Sequence, residues 1–121
     1  MPILALDHVQ LAMPPGGEPQ ARFFYGTLLG LTEVPKPPNL AARGGCWFET
    51  AAIRLHLGVD VNFVAARKAH PAFLLDHLAP TIAHLHDSGF EAEEDEPLAG
   101  YRRVYVFDPF GNRLELMERL D

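Results

Sequence analysis

Two halves of the chain present side chains of metal-binding type at matching positions. Residues 53–57 read Ile-Arg-Leu-His-Leu, and residues 112–116 read Asn-Arg-Leu-Glu-Leu. Residues 6–11 align in the same way with residues 68–73, and both segments have a histidine at the third position. Each of the four segments offers one imidazole or carboxylate, groups that bind divalent transition metals. These candidate ligands are His8, His56, His70 and Glu115.

The helices and strands that position these residues are predicted from the spacing of the apolar residues and from the glycines and prolines that end each element. The first half is predicted to have a helix at 18–29 and strands at 4–13, 31–35, 45–50 and 52–59. The second half is predicted to have a helix from the N-cap Asp76 to Gly89, and strands at 69–75, 90–95, 102–108 and 113–118. The order β-α-β-β-β therefore occurs twice.

One such β-α-β-β-β module would leave a sheet face uncovered, and a second module would cover it. We therefore predict an α+β fold in which two βαβββ modules form an open, cup-shaped mixed β-sheet barrel with the helices outside. The whole chain, 1–121, is predicted to be a single domain, with module 1 at about 1–60 and module 2 at about 69–121.

Alternation along the predicted strands places the candidate ligands on one side of this fold. In the last strand, Leu114 and Leu116 alternate with Glu115. Because successive side chains of a strand point to opposite faces, the leucines are predicted to lie under a helix and the glutamate to face the cup. The same alternation applies to the strands that contain the three histidines.

Three motifs are more specific than this alternation. They are Leu-Asp-His-Val at 6–9, Phe-Phe-Tyr-Gly-Thr-Leu-Leu-Gly-Leu at 23–31, and Phe-Asp-Pro-Phe-Gly-Asn-Arg-Leu-Glu-Leu at 107–116. The sequence resembles the vicinal oxygen chelate superfamily, which includes glyoxalase I, fosfomycin-resistance thiol transferases, extradiol dioxygenases and bleomycin-binding proteins. The resemblance covers nearly the whole chain, and the 107–116 motif is its most specific part.

The resemblance implies metal ligands at His8, His70 and Glu115. Two imidazoles and a carboxylate suit Fe, Mn, Zn or Ni and leave positions open for two substrate oxygens. Glyoxalase-type members have a glutamate or glutamine on the fourth strand, where this chain has His56. His56 is therefore either a fourth ligand, a general base with the ordinary histidine pKa of about 6.5, or a hydrogen-bonding wall residue.

Basic residues are frequent near the predicted ligands although the formal net charge is −6. They suggest recognition of an anionic substrate, or ion pairs with the acidic run at 91–96. Arg113 is the leading candidate because it shares a strand face with Glu115, and Tyr105 is a candidate wall residue. The wider basic group consists of Arg54, Arg67, Lys68, Arg102, Arg103 and Arg113.

Composition excludes several classes of function. The acidic balance argues against nucleic acid or an anionic membrane as the main partner. One cysteine, Cys46, excludes an internal disulfide and fits a reducing compartment. The N-terminus has neither the basic segment nor the cleavage site of a signal peptide, and no apolar run is long enough to span a bilayer. These features predict a cytoplasmic protein.

The predicted function is that of a metal-dependent enzyme that chelates a small oxygenated or anionic substrate. Lyase or isomerase chemistry of the glyoxalase type comes first, and thiol transfer to an epoxide follows. The alternative is a metal-free cup that binds a drug or metabolite, and a small dioxygenase is the third possibility. A homodimer is expected. The segment 35–44 is expected to close over the mouth of the cup.

Overall fold

Seven strands form two mixed sheets, one in each of two units. The computed structural model describes residues 1–121. Unit 1 is Met1–Val64 and unit 2 is Ala65–Asp121. The two separate mixed sheets, with few helices, confirm the α+β class and the absence of a closed barrel.

Unit 1 contains a four-stranded sheet in the order β1-β4-β3-β2. Strand β1 runs parallel to β4, and the other two pairings are antiparallel. The strands are β1 (Val9–Met13), β2 (Glu33–Val34), β3 (Cys46–Thr50) and β4 (Ile53–Val59). The helices are α1 (Glu18–Ala21), a π-helix (Arg22–Leu28) and α2 (Pro38–Ala41). Within β4, Leu55 and Leu57 are buried on the apolar side, as the alternation predicts.

A helix is present at the predicted position 18–29, but most of it is a π-helix and not an α-helix. After one α-helical turn the backbone continues as a π-helix, and Leu29 N donates to Phe24 O, five residues earlier. Phe24 and Tyr25 are fully buried. A π-helical turn is wider than an α-helical turn, so it changes which consecutive residues face the core. Periodicity alone does not reveal this change.

Unit 2 contains a three-stranded sheet in the order β5-β7-β6. Its elements are β5 (Ala72–Leu74), α3 (Leu78–Asp87), β6 (Tyr101–Phe107) and β7 (Arg113–Arg119). Strand β5 is parallel to β7, and β6 is antiparallel to β7. Leu114 and Leu116 are fully buried, in agreement with the alternation of the last strand.

The strand predicted at 90–95 is wrong. Only one isolated bridge forms there, between Glu93 and Tyr105. The segment 91–96 has five carboxylates in six residues, as counted from the sequence. Glutamate and aspartate have low strand propensity, and like charges on an edge repel one another. Unit 2 is consequently a shorter version of the predicted module.

The motif at 107–116 forms the turn between β6 and β7. Asp108 Oδ1 accepts hydrogen bonds from Phe110 N at 2.9 Å and Asn112 N at 2.8 Å. Asn112 Oδ1 in turn accepts from Ala66 N at 2.9 Å. Asp108 and Asn112 are buried, so these bonds replace water at backbone donors. The turn sets the register in which Tyr105 lies opposite Glu115.

Two strands begin later than predicted, each shortly after one of the candidate histidine ligands. Strand β1 starts at Val9 instead of residue 4, and β5 starts at Ala72 instead of residue 69. Pro71 has no backbone N–H and cannot donate to a ladder, which explains the late start of β5. His8 and His70 therefore lie just before their strands.

The second helix is capped differently from the prediction. Its N-cap is His77 instead of Asp76, with no side-chain cap from that residue. Leu78 N donates instead to Glu118 Oε1 on β7 at 2.6 Å. Glu118 thus ties the helix start to the sheet. No helix is long and apolar enough to cross a membrane.

Candidate functional site

In unit 2, backbone pairing brings His70 next to Glu115. Glu115 N donates to Pro71 O at 3.0 Å, and Ala72 is the register partner of Glu115. This pairing holds the residue before Pro71 beside the glutamate side chain. His70 Nε2 lies 3.0 Å from Glu115 Oε1, and Glu115 is only 7% exposed. A predicted ligand pair is therefore in direct contact.

Both ring nitrogens of His70 face acceptors. Nδ1 lies 2.9 Å from the Lys68 carbonyl oxygen, which can only accept a hydrogen bond. Nε2 faces the Glu115 carboxylate. A neutral imidazole has one N–H, so it satisfies only one of these contacts. An imidazole nitrogen and a carboxylate oxygen are also donor types that a divalent metal accepts, so the residues present fit such an ion.

Arg103 binds the second carboxylate oxygen of Glu115. Arg103 Nη1 lies 3.3 Å from Glu115 Oε2 and donates to Tyr105 Oη at 2.7 Å. Arg103 Nη2 donates to the Glu96 carbonyl oxygen at 2.7 Å, while the buried Nε has no partner. Sequence reasoning placed Arg103 only in a wider basic group. The missed signal was its two-residue spacing from Tyr105, which puts both on one strand face.

Two other predicted substrate residues of unit 2, Arg67 and Arg113, contact aromatic rings. Arg113 lies over the Tyr105 ring, with Cζ 3.9 Å from the centroid, and Arg67 lies 5.1 Å from the Phe107 centroid. Tyr105 meets the His70 ring edge-on at 5.3 Å. Lys68 contributes its backbone carbonyl to His70. Arg113 and Tyr105 therefore adjoin the His70–Glu115 pair.

In unit 1, three rings form a stacked column. Trp47 and His56 are register partners on neighbouring strands, and their rings stack at 3.9 Å with 3° between planes. His8 stacks on His56 at 4.3 Å with 20° between planes. His56 is only 6% exposed. The His56 ring is therefore held by stacking on Trp47, its strand partner, and on His8.

Burial lowers the pKa of His56, and the neighbouring His8 lowers it further. His56 is therefore neutral near neutral pH. A neutral imidazole has a free lone pair, which can accept a proton or bind a metal.

Arg54 is engaged by carboxylates of its own unit. Its Nη1 donates to Asp7 Oδ1 at 2.9 Å, and its Nε lies 3.4 Å from Glu49 Oε1. Asp7 Oδ2 also accepts from His8 Nδ1 at 2.9 Å. The hydrogen bond from His8, together with Arg54, lowers the pKa of Asp7. Asp7 thus orients His8 so that Nε2 is the nitrogen left for other partners.

The structure therefore groups the four predicted ligands in pairs. His8 and His56 are stacked in unit 1, and His70 and Glu115 are in contact in unit 2. No group of three or more His, Cys, Asp or Glu side chains is arranged to hold a metal ion. The joint four-residue site stays a prediction.

Comparison with solved structures relates this geometry to known proteins. A Bacillus anthracis protein assigned to the glyoxalase family is 44% identical, with a TM-score of 0.93 over 99% of this chain and 98% of that chain. This chain belongs to the vicinal oxygen chelate superfamily. At this identity and coverage, the likeness extends to the sequence as well as to the fold.

More distant members of the superfamily share the fold. A glyoxalase/dioxygenase from Nostoc punctiforme is 21% identical, with a TM-score of 0.78 over 100% of this chain and 99% of that chain. The fosfomycin-resistance protein FosX from Listeria monocytogenes is 16% identical, with a TM-score of 0.77 over 98% and 95%. A scan of family models and a search of curated proteins gave no match.

Proposed function

We propose that this protein is a metal-dependent enzyme of the glyoxalase type that acts on a small oxygenated or anionic substrate. The proposed ligands are His70 and Glu115, and the family resemblance adds His8. The observation that supports this proposal is the placement of His70 between two acceptors, the Lys68 carbonyl and the Glu115 carboxylate. A cation held by Nε2 and the carboxylate is one way to satisfy both contacts.

The surroundings of His70 fit a ligand role. A metal-bound histidine generally donates its other N–H to a carbonyl or carboxylate, which orients the ring. Lys68 O accepts this bond from Nδ1, and it leaves the Nε2 lone pair directed at the carboxylate side. His8 has the same arrangement, with Asp7 as the acceptor for Nδ1.

Glu115 is prepared for a similar role. Arg103 binds Oε2, which leaves Oε1 on the side of His70. A buried carboxylate with one oxygen paired to a cation has a defined orientation at little entropic cost. Arg113, which lies over Tyr105, is proposed to bind an anionic group of the substrate.

A bound metal and the side chains of the protein are proposed to have separate roles in the reaction. A divalent metal would polarise two adjacent substrate oxygens as a Lewis acid. His56, neutral and held between Trp47 and His8, is proposed to accept a proton from the substrate. A fixed neutral imidazole is suited to this role because it does not need to lose a proton first.

Elemental analysis tests the metal proposal. The protein is purified without chelator or nickel affinity resin, beside His70→Ala, Glu115→Ala and His8→Ala. His86→Ala is the matched control, because His86 forms an exposed pair with Glu91 at 2.8 Å. We expect about one equivalent of Fe, Mn, Zn or Ni per chain, lost in the three variants and retained in the control. No metal and no uptake on reconstitution would reject the proposal.

A substrate panel then separates the reaction classes. It contains a hemithioacetal of methylglyoxal, fosfomycin with a thiol, and a catechol with oxygen. Isomerisation of the first supports the glyoxalase reaction, opening of the epoxide supports the thiol-transferase class, and ring cleavage supports a dioxygenase. His56→Gln is expected to retain metal while losing turnover if His56 moves the proton.

A second candidate function is metal-free binding of a small molecule. The stacked column of Trp47, His56 and His8 favours it, because such a column offers a flat aromatic edge to a planar ligand. Saturable ligand binding by metal-free protein, with no activity after metal loading, would support this candidate. A homodimer is expected in either case, and light scattering during gel filtration checks it.

A further inference from the structure

The acidic segment, residues 91–96, is attached to the rest of unit 2 at few points. It carries five carboxylates, and of its six residues only Ala92 is half-buried, while the others are exposed. Its one strand-like pairing is the bridge in which Glu93 and Tyr105 exchange two backbone hydrogen bonds of 2.8 Å. Because it buries little surface and its charges repel one another, such a segment opens locally at a lower free energy than the strands beside it.

The backbone on either side of the acidic segment is anchored. Before it, Phe90 N donates to Leu85 O at 2.8 Å, which ties the chain to the end of α3. After it, Leu120 N donates to Gly100 O at 2.9 Å, which ties the chain to the end of β7. Opening is therefore confined to the residues between these anchors and does not require unfolding of α3 or β7.

One side chain joins the acidic segment to Glu115. The side chain of Arg103, on β6, is only 15% exposed. Its Nη2 donates to the Glu96 carbonyl oxygen at 2.7 Å. Its Nη1 lies 3.3 Å from Glu115 Oε2 and donates to Tyr105 Oη at 2.7 Å. Because the guanidinium is a rigid plane and its buried Nε has no partner, its position depends on these Nη contacts.

Tyr105 brings the acidic segment and Glu115 together through its backbone. Its N–H and C=O both pair with Glu93 on one side of β6, and its register partner on the other side is Glu115 of β7. Tyr105 and Glu115 therefore form the non-hydrogen-bonded type of antiparallel pair, in which the side chains lie closer together. A single strand residue thus separates the acidic segment from Glu115.

We propose that Arg103 is a positioning residue that couples the acidic segment to Glu115, so that closure of the segment and metal binding favour each other. In the closed state, the bond to Glu96 holds the guanidinium where Nη1 meets Glu115 Oε2. Oε1 is then presented on the side of His70 in one orientation. When the segment opens, this bond is lost, and Glu115 has more freedom to lose on binding a metal.

The coupling acts in both directions. Coupling between two sites is reciprocal, so a metal on Glu115 stabilises the closed segment by the same factor by which closure strengthens metal binding. This effect of metal rests on the proposed function. The coupling through Arg103 does not, because the Glu115 carboxylate contacts Arg103 without a metal.

Amide hydrogen exchange of metal-free protein, resolved by NMR, tests the coupling. The reporter is the Glu93 amide, which is bonded only while the segment is closed, and the buried Leu116 amide of the β6–β7 ladder reports unfolding of unit 2. Arg103→Met is expected to speed exchange at Glu93 about tenfold relative to Leu116. Arg102→Met, at an exposed cation of the same strand, is the control and is expected to change neither amide.

Glu115→Gln gives the decisive comparison. The Glu115 side chain contacts His70 and Arg103 and no residue of the acidic segment. It is nevertheless expected to speed exchange at Glu93 several-fold, because an uncharged amide holds the guanidinium less firmly. Exchange at Glu93 that is unchanged in Glu115→Gln, or that only follows exchange at Leu116 in every variant, would overturn the proposal.

Two substitutions of Glu93 test the reciprocal effect on metal. Glu93→Pro removes an N–H of the bridge, whereas Glu93→Ala removes only the carboxylate, and neither changes a proposed ligand. Competition with a chromophoric chelator measures the affinity for Zn²⁺, which is expected to be about fivefold weaker in Glu93→Pro than in Glu93→Ala. Zn²⁺ is also expected to slow exchange at Glu93 in the parent protein. Equal affinities, or exchange that Zn²⁺ leaves unchanged or speeds, would reject the link to metal.

These outcomes are distinct from failure of the proposed function. A protein that takes up no metal would reject the proposed function and with it the effect of metal on the segment, while exchange in the metal-free variants would still decide the coupling through Arg103. Metal that depends on Glu115, together with exchange at Glu93 that ignores Glu115→Gln, would reject the coupling and leave the proposed function intact.

Discussion

His70 Nε2 lies 3.0 Å from Glu115 Oε1, while His70 Nδ1 faces a carbonyl oxygen at 2.9 Å. This relationship joins a residue before β5 to a residue in the middle of β7. It depends on parallel pairing of those strands, with Ala72 opposite Glu115. The pair is the centre of the proposed metal function, and its support by Arg103 leads to the first prediction.

Arg103→Met is expected to lower the melting temperature more than Arg102→Met. Arg103 bonds Glu115 and Tyr105, so its loss leaves a buried carboxylate and a hydroxyl without this donor. Arg102 is on the same strand and is exposed. Thermal unfolding followed by circular dichroism makes the comparison. Adding Glu115→Gln to Arg103→Met should recover part of the loss, because it removes the buried charge that Arg103 balances. Equal melting temperatures for the two single variants would contradict the role of Arg103.

His56 is expected to make the protein less stable as the pH falls. Its folded pKa lies below the ordinary histidine value of about 6.5. In the window between these two values the unfolded chain binds more protons, so stability is lost as the pH falls through it and is complete above it. Urea unfolding at about pH 8 and at about pH 5 measures the difference.

His56→Phe keeps a ring against Trp47 but does not titrate. It is expected to show a smaller loss of stability between the two pH values than the parent protein. His84→Ala, which removes an exposed histidine of α3, is the control and should keep the full loss. An unchanged pH dependence in His56→Phe would show that burial of His56 has no such effect.

Glu118→Ala is expected to destabilise unit 2 by about 1 kcal/mol, the usual effect of losing a helix N-cap. Glu118 Oε1 accepts from Leu78 N, one of the donors that the first turn of α3 leaves unpaired. Glu118→Gln, which keeps an acceptor oxygen, should retain part of the stability. Chemical denaturation gives the free energy of unfolding. Glu94→Ala, at an exposed glutamate, is the control, and an equal effect there would reject the capping role.

Gly45→Ala and Gly89→Ala are expected to differ sharply although both glycines have positive φ. At Gly89, with φ +88°, an added Cβ meets nothing within 4 Å, so only backbone strain of about 1 kcal/mol is expected. At Gly45 the Cβ would lie 2.1 Å from Leu57 O, and a rigid backbone must move. Loss of more than about 3 kcal/mol is expected there. Similar denaturation midpoints for the two variants would argue against the close approach.

Part of the site was predictable from local sequence. Alternation in β4 and β7 predicts which leucines are buried. It also predicts that His56 and Glu115 lie on the opposite face of their strands from those leucines. The Asp108–Asn112 turn was also recognisable, because Asp, Pro, Gly and Asn each have a specific turn function. The strand predicted at 90–95 does not form, because the carboxylates of 91–96 have low strand propensity and repel one another.

The partners of the site residues were not predictable in this way. Arg103 contacts Glu115 from a neighbouring strand, Glu118 caps a helix that begins forty positions earlier in the sequence, and Trp47 stacks on His56 across a strand pair. Each contact depends on register between strands that are distant in sequence. The π-helix likewise depends on the core in which Phe24 and Tyr25 are buried.

The sequence by itself determined the α+β class, the order of most elements, the membership of the superfamily and the residue types that could bind a metal. These properties follow from periodicity, turn chemistry and local motifs, which act over a few neighbouring residues. Only the tertiary structure decided that His70 contacts Glu115, that Arg103 supports it, and that Arg103 also bonds the Glu96 carbonyl oxygen. Such contacts arise from strand register and close backbone approach, and these depend on the packing of the whole chain rather than on any short segment.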